Sequence, residues 1–594
     1  MQTNASGLER NSESRAKPSW LAYYEDGVPP AVEVPDLPLY ALLSNAAREA
    51  PDRVALRMVL KYLPLGLAIQ ARYTYLQLDE ASSRFAAALV ALGIHKNDRV
   101  AIMLPNIPQY VIAYFGALKA GAIVVNTNPT YTARELQHQL EDSGAKCIVL
   151  MSGLLDRLKQ IREHTAIEYA IIADVHETLP WPFRGMVAKQ LRGRGMVADV
   201  ATGTDVHRFQ LLVKRASPLP HPVPCDKDDV VLFQYTGGTT GTPKAAMLTN
   251  RNLVANATQS ATWFTPLVQG EERFVSALPF FHVYGMTVGL ITAVLAASEI
   301  VMVPDPRDLD LIMQVVENEK ITLFPGVPTM YSALMNHQRI GDYRFSAVKA
   351  CLSAGAALPL EVAKKFRAVT GAHLVEGYGL TECSPLVCGN PVMGRHKAGS
   401  IGVPIPNTTV AIVSLEANDE GIYHKLDTGE EGEIVVTGPQ VMAGYWQQEE
   451  ETKLTIDSTG ALHTGDIGTM DEDGYVYVVD RKKDLIIASG YNIVPREVEE
   501  VLYSHPKVME AAVAGVPDAR RGETVKAYIV LWDGETSTRD EIRAFCKENL
   551  APYKVPALVE FRNALPKSQV GKVLRRLLVE EDLARAAEDS PVAD

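Results

Sequence analysis

The stretch RVAIMLPNIPQYVIAYFGALKAGAIVVNT, residues 99–127, decides the fold. It opens on a β-branched run at 99–104 and closes on another at 120–127. Between them, residues 107–120 carry apolar side chains at helical spacing. Strand, helix and strand in so short a span form a βαβ unit, which calls for a parallel sheet. The series continues. ARELQHQLEDSG at 133–144 has helical spacing, and AKCIVLM at 145–151 is the next strand. The first two-thirds of the chain therefore reads as α/β, a large multi-subdomain N-terminal body of mixed and parallel sheets flanked by helices.

From about Asp427 the texture changes. Gly-rich turns separate short strands, as in TGEEGEIVVTG at 428–438 and DEDGYVYVVD at 471–480. After the charged run DRKKD at 480–484, a small α+β unit begins. Its helix, PREVEEVLYSH at 495–505, starts with Pro495 in its first turn and puts Val498, Val501 and Leu502 on one face. Strands EAAVAGV and KAYIVLW follow. The charged run reads either as a hinge or as an exposed turn; taken as a hinge at 481–483, it divides the chain into an N-terminal body over 1–480 and a C-terminal domain over 484–594. A total of 594 residues is too long for one core, which fits this division.

The net charge of −13 argues against a nucleic-acid binder, which needs a basic footprint. It leaves room for a phosphate ligand held by a few local groups. The six cysteines form no CxxC pair, and so few in so long a chain need no disulfide framework. They point to a reducing, cytoplasmic setting. The first twenty residues are polar and lack the apolar core of a signal peptide. Two segments allow alternative readings. Residues 274–298 hold no Asp, Glu, Lys or Arg, but Pro279, His282, Gly285 and Gly289 favour a strand, a loop and a buried helix over a membrane span. The segment 181–197, WPFRGMVAKQLRGRGMV, sets Arg184, Lys189, Arg192 and Arg194 beside Trp181 and Phe183 with no acid. It reads either as a solvated basic loop or as an interfacial segment resting on anionic lipid at the inner face of the cell membrane.

The strongest chemical signal is YTGGTTGTPK at 235–244, after the strand VVLFQ. Gly237, Gly238 and Gly241 let the backbone approach a ligand closely, and consecutive N–H groups of such a loop nest an anion. Thr236, Thr239, Thr240 and Thr242 add hydroxyl donors, and Lys244 adds a point charge. This is chemistry for a polyphosphate. It is not a Walker A loop, because Pro243 precedes the lysine and Ala245 follows it. EGYGLTECSP at 376–385 sets Glu382 beside hydroxyls, a donor set that suits a hard cation such as Mg²⁺.

These motifs resemble those of the adenylate-forming superfamily of acyl-CoA synthetases, luciferases and peptide-synthetase adenylation domains. DRKKDLIIASGYNIVPREVEEVL at 480–502 and LPKSQVGKVLRR at 565–576 are most similar to bacterial long-chain fatty-acid–CoA ligases. The resemblance runs from about residue 40 to 580. It implies ATP-dependent activation of a fatty acid to acyl-AMP, then thioester formation with CoA. The loop from Thr236 to Lys244 would hold the β- and γ-phosphates. Glu382, with Thr239, would bind Mg²⁺, and Thr381 would contact the α-phosphate. Tyr378, between Gly377 and Gly379, would stack on adenine, with Gly355 and Ala356 at the adenine edge. Asp466 would accept the ribose hydroxyls, and Arg481 would reach the nucleotide. Lys483 would be the hinge. Gly490 and Tyr491 would line the CoA route, and His282, Val283 and Gly326 the acyl pocket. Lys572 would be the mobile catalytic lysine, acting with Lys244, Thr239 and Glu382. Lys567, Arg575 and Arg576 read as plain surface groups.

The sequence departs from the pattern in two places. The loop has Gly-Gly-Thr-Thr where many relatives have Ser-Gly-Thr-Thr, and Ile487-Ala488 replaces Ile-Lys. Neither change removes a proposed catalytic group. A medium-chain or aryl-acid CoA ligase, a ligase serving a carrier protein, and a non-catalytic fatty-acid or nucleotide-binding protein are the alternatives. Such enzymes are often homodimers, a property the sequence itself does not set.

Overall fold

The computed structural model describes residues 17–236, 243–265, 267–418, 423–481, 484–488, 491–518, 522–568 and 571–588. Strands Arg99–Met103 and Ile123–Asn126 pair in parallel, joined by helix Pro108–Lys119. Every residue of this helix is buried, as an all-round apolar helix requires. It packs between two sheets and against helix Tyr75–Ala91. Gly116 permits that close approach: a Cβ there would lie 2.8 Å from the Phe85 ring. Lys119, at the helix end, is buried too. Its ammonium reaches Asp79 Oδ1 at 2.7 Å, the Asp79 carbonyl, Ser82 and Ser83, which satisfies a charge that burial would otherwise expel.

One sheet has seven strands. From Val206–Arg208 through Val230–Thr236 its pairs are parallel, and Lys244–Thr249 closes it as an antiparallel edge. The second has nine. Its parallel core comprises Val54–Tyr62, Glu299–Met302, Arg273–Ser276, Leu323–Gly326, Ala350–Ser353 and Leu374–Gly379. Antiparallel strands close both its edges. A third sheet, of four antiparallel strands, carries Gly432–Thr437, Leu462–Met470 and Val476–Arg481. Residues from Ile486 onward build a separate five-stranded sheet. Helix Pro495–Tyr503 packs on it through Val498 and Leu502, in an apolar cluster drawn only from this unit.

Residues 274–298 are largely buried and follow the strand–loop–helix reading. After strand Arg273–Ser276 the chain turns, winds a π-helix over Gly285–Ile291, and ends in the short helix Thr292–Leu295. Among the described residues no helix is long and apolar enough to cross a membrane. The basic segment differs from the loop reading. It forms helix Phe183–Gly193, seated by buried Val187 with Phe183 and Leu191 beside the core, one helical turn before and after it.

Candidate active site

Thr236, Gly326, Gly355 and Tyr378 lie at or just after the ends of parallel strands, the usual ligand edge of such sheets. Strands Val230–Thr236 and Lys244–Thr249 form a hairpin in which Thr236 faces Lys244. Gly237, Gly238, Thr239, Thr240 and Gly241 lie between them, outside the described residues. Lys244 is buried. Its ammonium pairs with Glu451 at 2.8 Å and lies 5.7 Å from the centre of the Tyr445 ring. The Tyr445 hydroxyl donates to Glu382 Oε1 at 2.7 Å. The Glu382 Oε2 atom takes no hydrogen bond among the described residues. One half-buried carboxylate completed by phosphate oxygens is a donor set that Mg²⁺ accepts. No cluster of three His, Cys, Asp or Glu side chains suited to a metal occurs among the described residues. The fit therefore rests on Glu382 alone. Tyr445 and Glu451 were not singled out from the sequence. A tyrosine inside AGYW and an acid in a Glu-rich helix carry no distinctive signal.

A second group forms around Asp466, which is buried and sits directly opposite Arg481 on the neighbouring strand. Its Oδ1 pairs with the Arg481 guanidinium at 2.9 Å, and its Oδ2 accepts from the Tyr378 hydroxyl at 2.6 Å. Burial and the Asp466 carboxylate push the Tyr378 phenol well above its ordinary range. The turn that aims Asp466 is fixed from strand Gly432–Thr437. Gly465, at φ +70°, donates its N–H to Glu433 at 3.0 Å, and the Thr464 hydroxyl donates to the Ile434 carbonyl at 2.7 Å. Gly377 and Gly379 flank Tyr378. A Cβ at Gly379 would lie 2.0 Å from the Pro385 carbonyl oxygen, so only glycine fits. Thr381 opens a short 3₁₀ turn ending at Cys383, with Glu382 between them. Gly355, at φ +88°, and Ala356 turn the chain after strand Ala350–Ser353.

Lys572 comes to this group from the C-terminal unit. Burial and the Arg481 charge push its ammonium down to about 8, with Asp466 and Asp484 acting in opposition. The preceding Gly571, at φ +74°, is pressed against Thr329 of the body. A Cβ there would lie 1.9 Å from the Thr329 hydroxyl oxygen. Arg575 corrects the surface reading. It is half-buried, pairing with Glu499 at 2.7 Å, Asp484 at 3.1 Å and Asp480 at 3.9 Å. Lys567 is likewise paired, with Glu510. Arg576 is an exposed group, bridging to Glu580 at 3.4 Å.

The wall around His282 is built by buried polar residues that sequence reading passed over. The Asn106 amide donates to the Ser276 and Leu278 carbonyls at 2.9 and 2.7 Å, and its oxygen accepts from the Phe280 N–H at 2.8 Å. Gln234, at the foot of the Gly/Thr loop, donates to the Phe281 carbonyl at 3.0 Å. Its oxygen accepts from Asn126 at 2.9 Å. The available signal was a lone amide at the end of each of two adjacent apolar strands. Burial pushes His282 down to about 4, so its imidazole is neutral at pH 7, and Nδ1 accepts from the Tyr284 N–H at 3.2 Å. Val283 is buried. The Tyr284 hydroxyl donates to the Leu352 carbonyl at 2.8 Å, joining this wall to the Gly355 turn. Gly326 ends its strand where a Cβ would meet the Tyr331 ring at 2.7 Å. Tyr491 lies in the strand Tyr491–Ile493 of the C-terminal sheet. Lys483 and Gly490 are outside the described residues.

The structure thus brings together Lys244 with Glu382, and Tyr378 with Asp466, Arg481 and Lys572. Comparison with known proteins points the same way. The sequence profile described as AMP-binding enzyme matches residues 43–446, and that described as AMP-binding enzyme C-terminal domain matches residues 497–572. A long-chain-fatty-acid–CoA ligase of Bacillus subtilis (strain 168) is 42% identical over 565 residues, spanning 95% of this chain and 98% of its own. One from Yersinia pestis is 39% identical over 578 residues, spanning 96% and 99%. The solved structure of ATP-bound MatB from Rhodopseudomonas palustris is similar at a TM-score of 0.77 and 27% identity, over 92% of this chain and 99% of its own. With its body and its C-terminal unit both matched, the chain belongs to the AMP-binding enzyme family.

Proposed function

We propose that this protein is a long-chain fatty-acid–CoA ligase working through an acyl-adenylate. A carboxylate is a poor acyl donor because its leaving group would be an oxide. Its oxygen attacks the α-phosphorus of ATP, pyrophosphate departs, and a mixed anhydride with AMP results. The CoA thiol then attacks the acyl carbon and AMP leaves. No covalent enzyme nucleophile is needed. The work is positioning and charge neutralisation. Lys244 and the Gly/Thr loop, Thr236 to Gly241, hold the β- and γ-phosphates. Thr381 meets the α-phosphate, Gly355 and Ala356 flank the adenine beside Tyr378, and Asp466 takes the ribose. Mg²⁺, held by Glu382 and Thr239, would neutralise phosphate charge. Lys572 meets charge developing between carboxylate and phosphorus, where electrostatic help counts most. His282, neutral at pH 7, Val283 and Gly326 line the acyl route. The observation that carries this reading is the seating of Gly571, beside Lys572, against Thr329 of the body, which puts the Lys572 ammonium within the influence of the Arg481 and Asp466 charges. The similarity to long-chain ligases over nearly the whole chain supports the substrate class.

The two steps need different groups at one place. Lys572 serves the first, and the segment around Gly490 and Tyr491 serves the second. Rotation of the unit 484–594 about 481–483, centred on Lys483, against the body 1–480 exchanges them. The functional test is pyrophosphate and acyl-CoA release with a carboxylate panel from hexanoate to octadecanoate plus benzoate. Preference for the long chains is expected. Preference for benzoate or hexanoate overturns the long-chain assignment, and no pyrophosphate with any carboxylate overturns the ligase.

We further propose that the enzyme works in the cytoplasm, peripherally on the inner face of the membrane. Trp181 is 90% exposed and Met186 is 52% exposed beside Arg184, Lys189 and Arg194. Paired aromatic and cationic groups favour an anionic headgroup surface. Co-sedimentation with phosphatidylglycerol vesicles, lost on replacing the cations of 184–194, is the expected result. Unchanged sedimentation removes the membrane role. Self-association into a homodimer is a further expectation, to be read by light scattering.

A further inference from the structure

Asp480 is the last residue of the body before the junction, and it is buried. Its Oδ1 accepts the N–H of Arg481 at 2.7 Å, and its Oδ2 accepts the N–H of Arg496 at 3.0 Å. Arg496 is the second residue of helix Pro495–Tyr503, which has no side-chain cap of its own. A carboxylate at that place satisfies an orphan donor and faces the positive end of the helix dipole. The helix of one unit is therefore capped by a carboxylate of the other. The Arg496 guanidinium completes the grip by donating to the Val478 carbonyl at 2.7 Å.

Arg575 adds a second contact to the same carboxylate, at 3.9 Å. Its shorter pairs, to Asp484 and Glu499, lie within the C-terminal unit and would travel with it. The contacts to Asp480 and Val478 cross the junction. They are made while Gly571, four residues before Arg575, is seated against Thr329 of the body, with Lys572 close enough for the Arg481 and Asp466 charges to act on it. A rotation that withdraws Lys572 would break them.

We infer that Asp480 is a positioning residue that favours the adenylate-forming placement of the C-terminal unit by capping helix Pro495–Tyr503 across the junction. The inference rests on the domain-rotation reading above. Losing a helix cap of this kind shifts an equilibrium by roughly 5- to 30-fold. Asp480→Ala should slow palmitate-dependent ATP–pyrophosphate exchange by about that factor. Thioester formation from synthetic palmitoyl-adenylate and CoA should hold or quicken. Asp480→Asn, which keeps an acceptor for the Arg496 N–H but lacks the charge, should lose less.

The ratio of the two half-reactions is the quantity to read, because a loss of folded protein cancels from it. An unchanged ratio in both variants overturns the inference, as does a loss confined to the thioester step. Lys572→Ala in the same assays separates the two levels. If it also slows both steps alike, the rotation reading itself fails. If it slows only adenylation while Asp480→Ala leaves the ratio unchanged, the rotation stands and Asp480 has no part in it.

Discussion

Replacing Gly571 by alanine tests how Lys572 is brought to the site. The new Cβ would lie 1.9 Å from the Thr329 Oγ1, 3.0 Å from its Cβ and 3.1 Å from its Cγ2. Rotating the threonine side chain does not clear the contact, because its Cβ stays in place. Two costs follow, and they separate. At φ +74°, alanine is strained by about 1–2 kcal/mol wherever the C-terminal unit sits, so this cost falls on both half-reactions. The overlap with Thr329 arises only when the unit is seated. Overpacking of this kind costs about 1–3 kcal/mol, or about 5- to 150-fold in the seated population. ATP–pyrophosphate exchange with palmitate should fall by that factor relative to thioester formation from palmitoyl-adenylate. Adding Thr329→Gly should restore the ratio while the backbone strain at position 571 remains. Exchange at the wild-type rate in Gly571→Ala would refute the reasoning, since the seated contact would then play no part in adenylation.

Burial pushes the Glu376 carboxyl up to about 7 from an ordinary 4.5. A raised folded value means that stability is lost as pH climbs from about 4.5 to 7, which is about 3 kcal/mol in full. Glu376→Gln should therefore gain up to about that much at pH 8 and nothing at pH 4 in urea unfolding; an equal gain at both would contradict this. Lys572 loses its proton near pH 8, so kcat/KM for adenylation should fall above that pH. Lys572→Arg stays charged and should lack the alkaline fall, whatever its absolute rate. Tyr445→Phe removes the hydrogen bond that orients Glu382, worth about 1 kcal/mol at this half-buried place. The KM for Mg·ATP should rise roughly fivefold, beyond anything a small fall in melting temperature accounts for; an unchanged KM would show that Tyr445 does not orient the carboxylate.

Much of the fold was legible where a segment's local pattern and its tertiary setting agree. The helix at 107–120 is apolar all round and lies buried between sheets. The resemblance assigned Asp466 and Arg481 to the same nucleotide, and the structure sets them opposite each other on adjacent antiparallel strands. Arg575 was misread because its carboxylates at 480, 484 and 499 lie far away along the chain. Only folding gathers them. Asn126 and Gln234 escaped notice because a single amide in an apolar strand looks like any buried polar residue, and their shared hydrogen bond joins separate strands. The basic helix was hidden by its composition. Gly185 and Gly193 weaken helix propensity, and the signal that mattered was Phe183, Val187 and Leu191 at intervals of four.

The central step is the attack of the carboxylate on the α-phosphorus. Palmitate labelled with heavy oxygen at both carboxylate positions traces this directly. One labelled oxygen should bridge acyl carbon and phosphorus, then leave with AMP when CoA displaces it, while the other stays in the thioester carbonyl. Mass spectrometry of the nucleotide after one round of turnover should show a single heavy oxygen in AMP and none in pyrophosphate. Label in a phosphate or diphosphate product, or unlabelled AMP alongside acyl-CoA, would contradict the acyl-adenylate route.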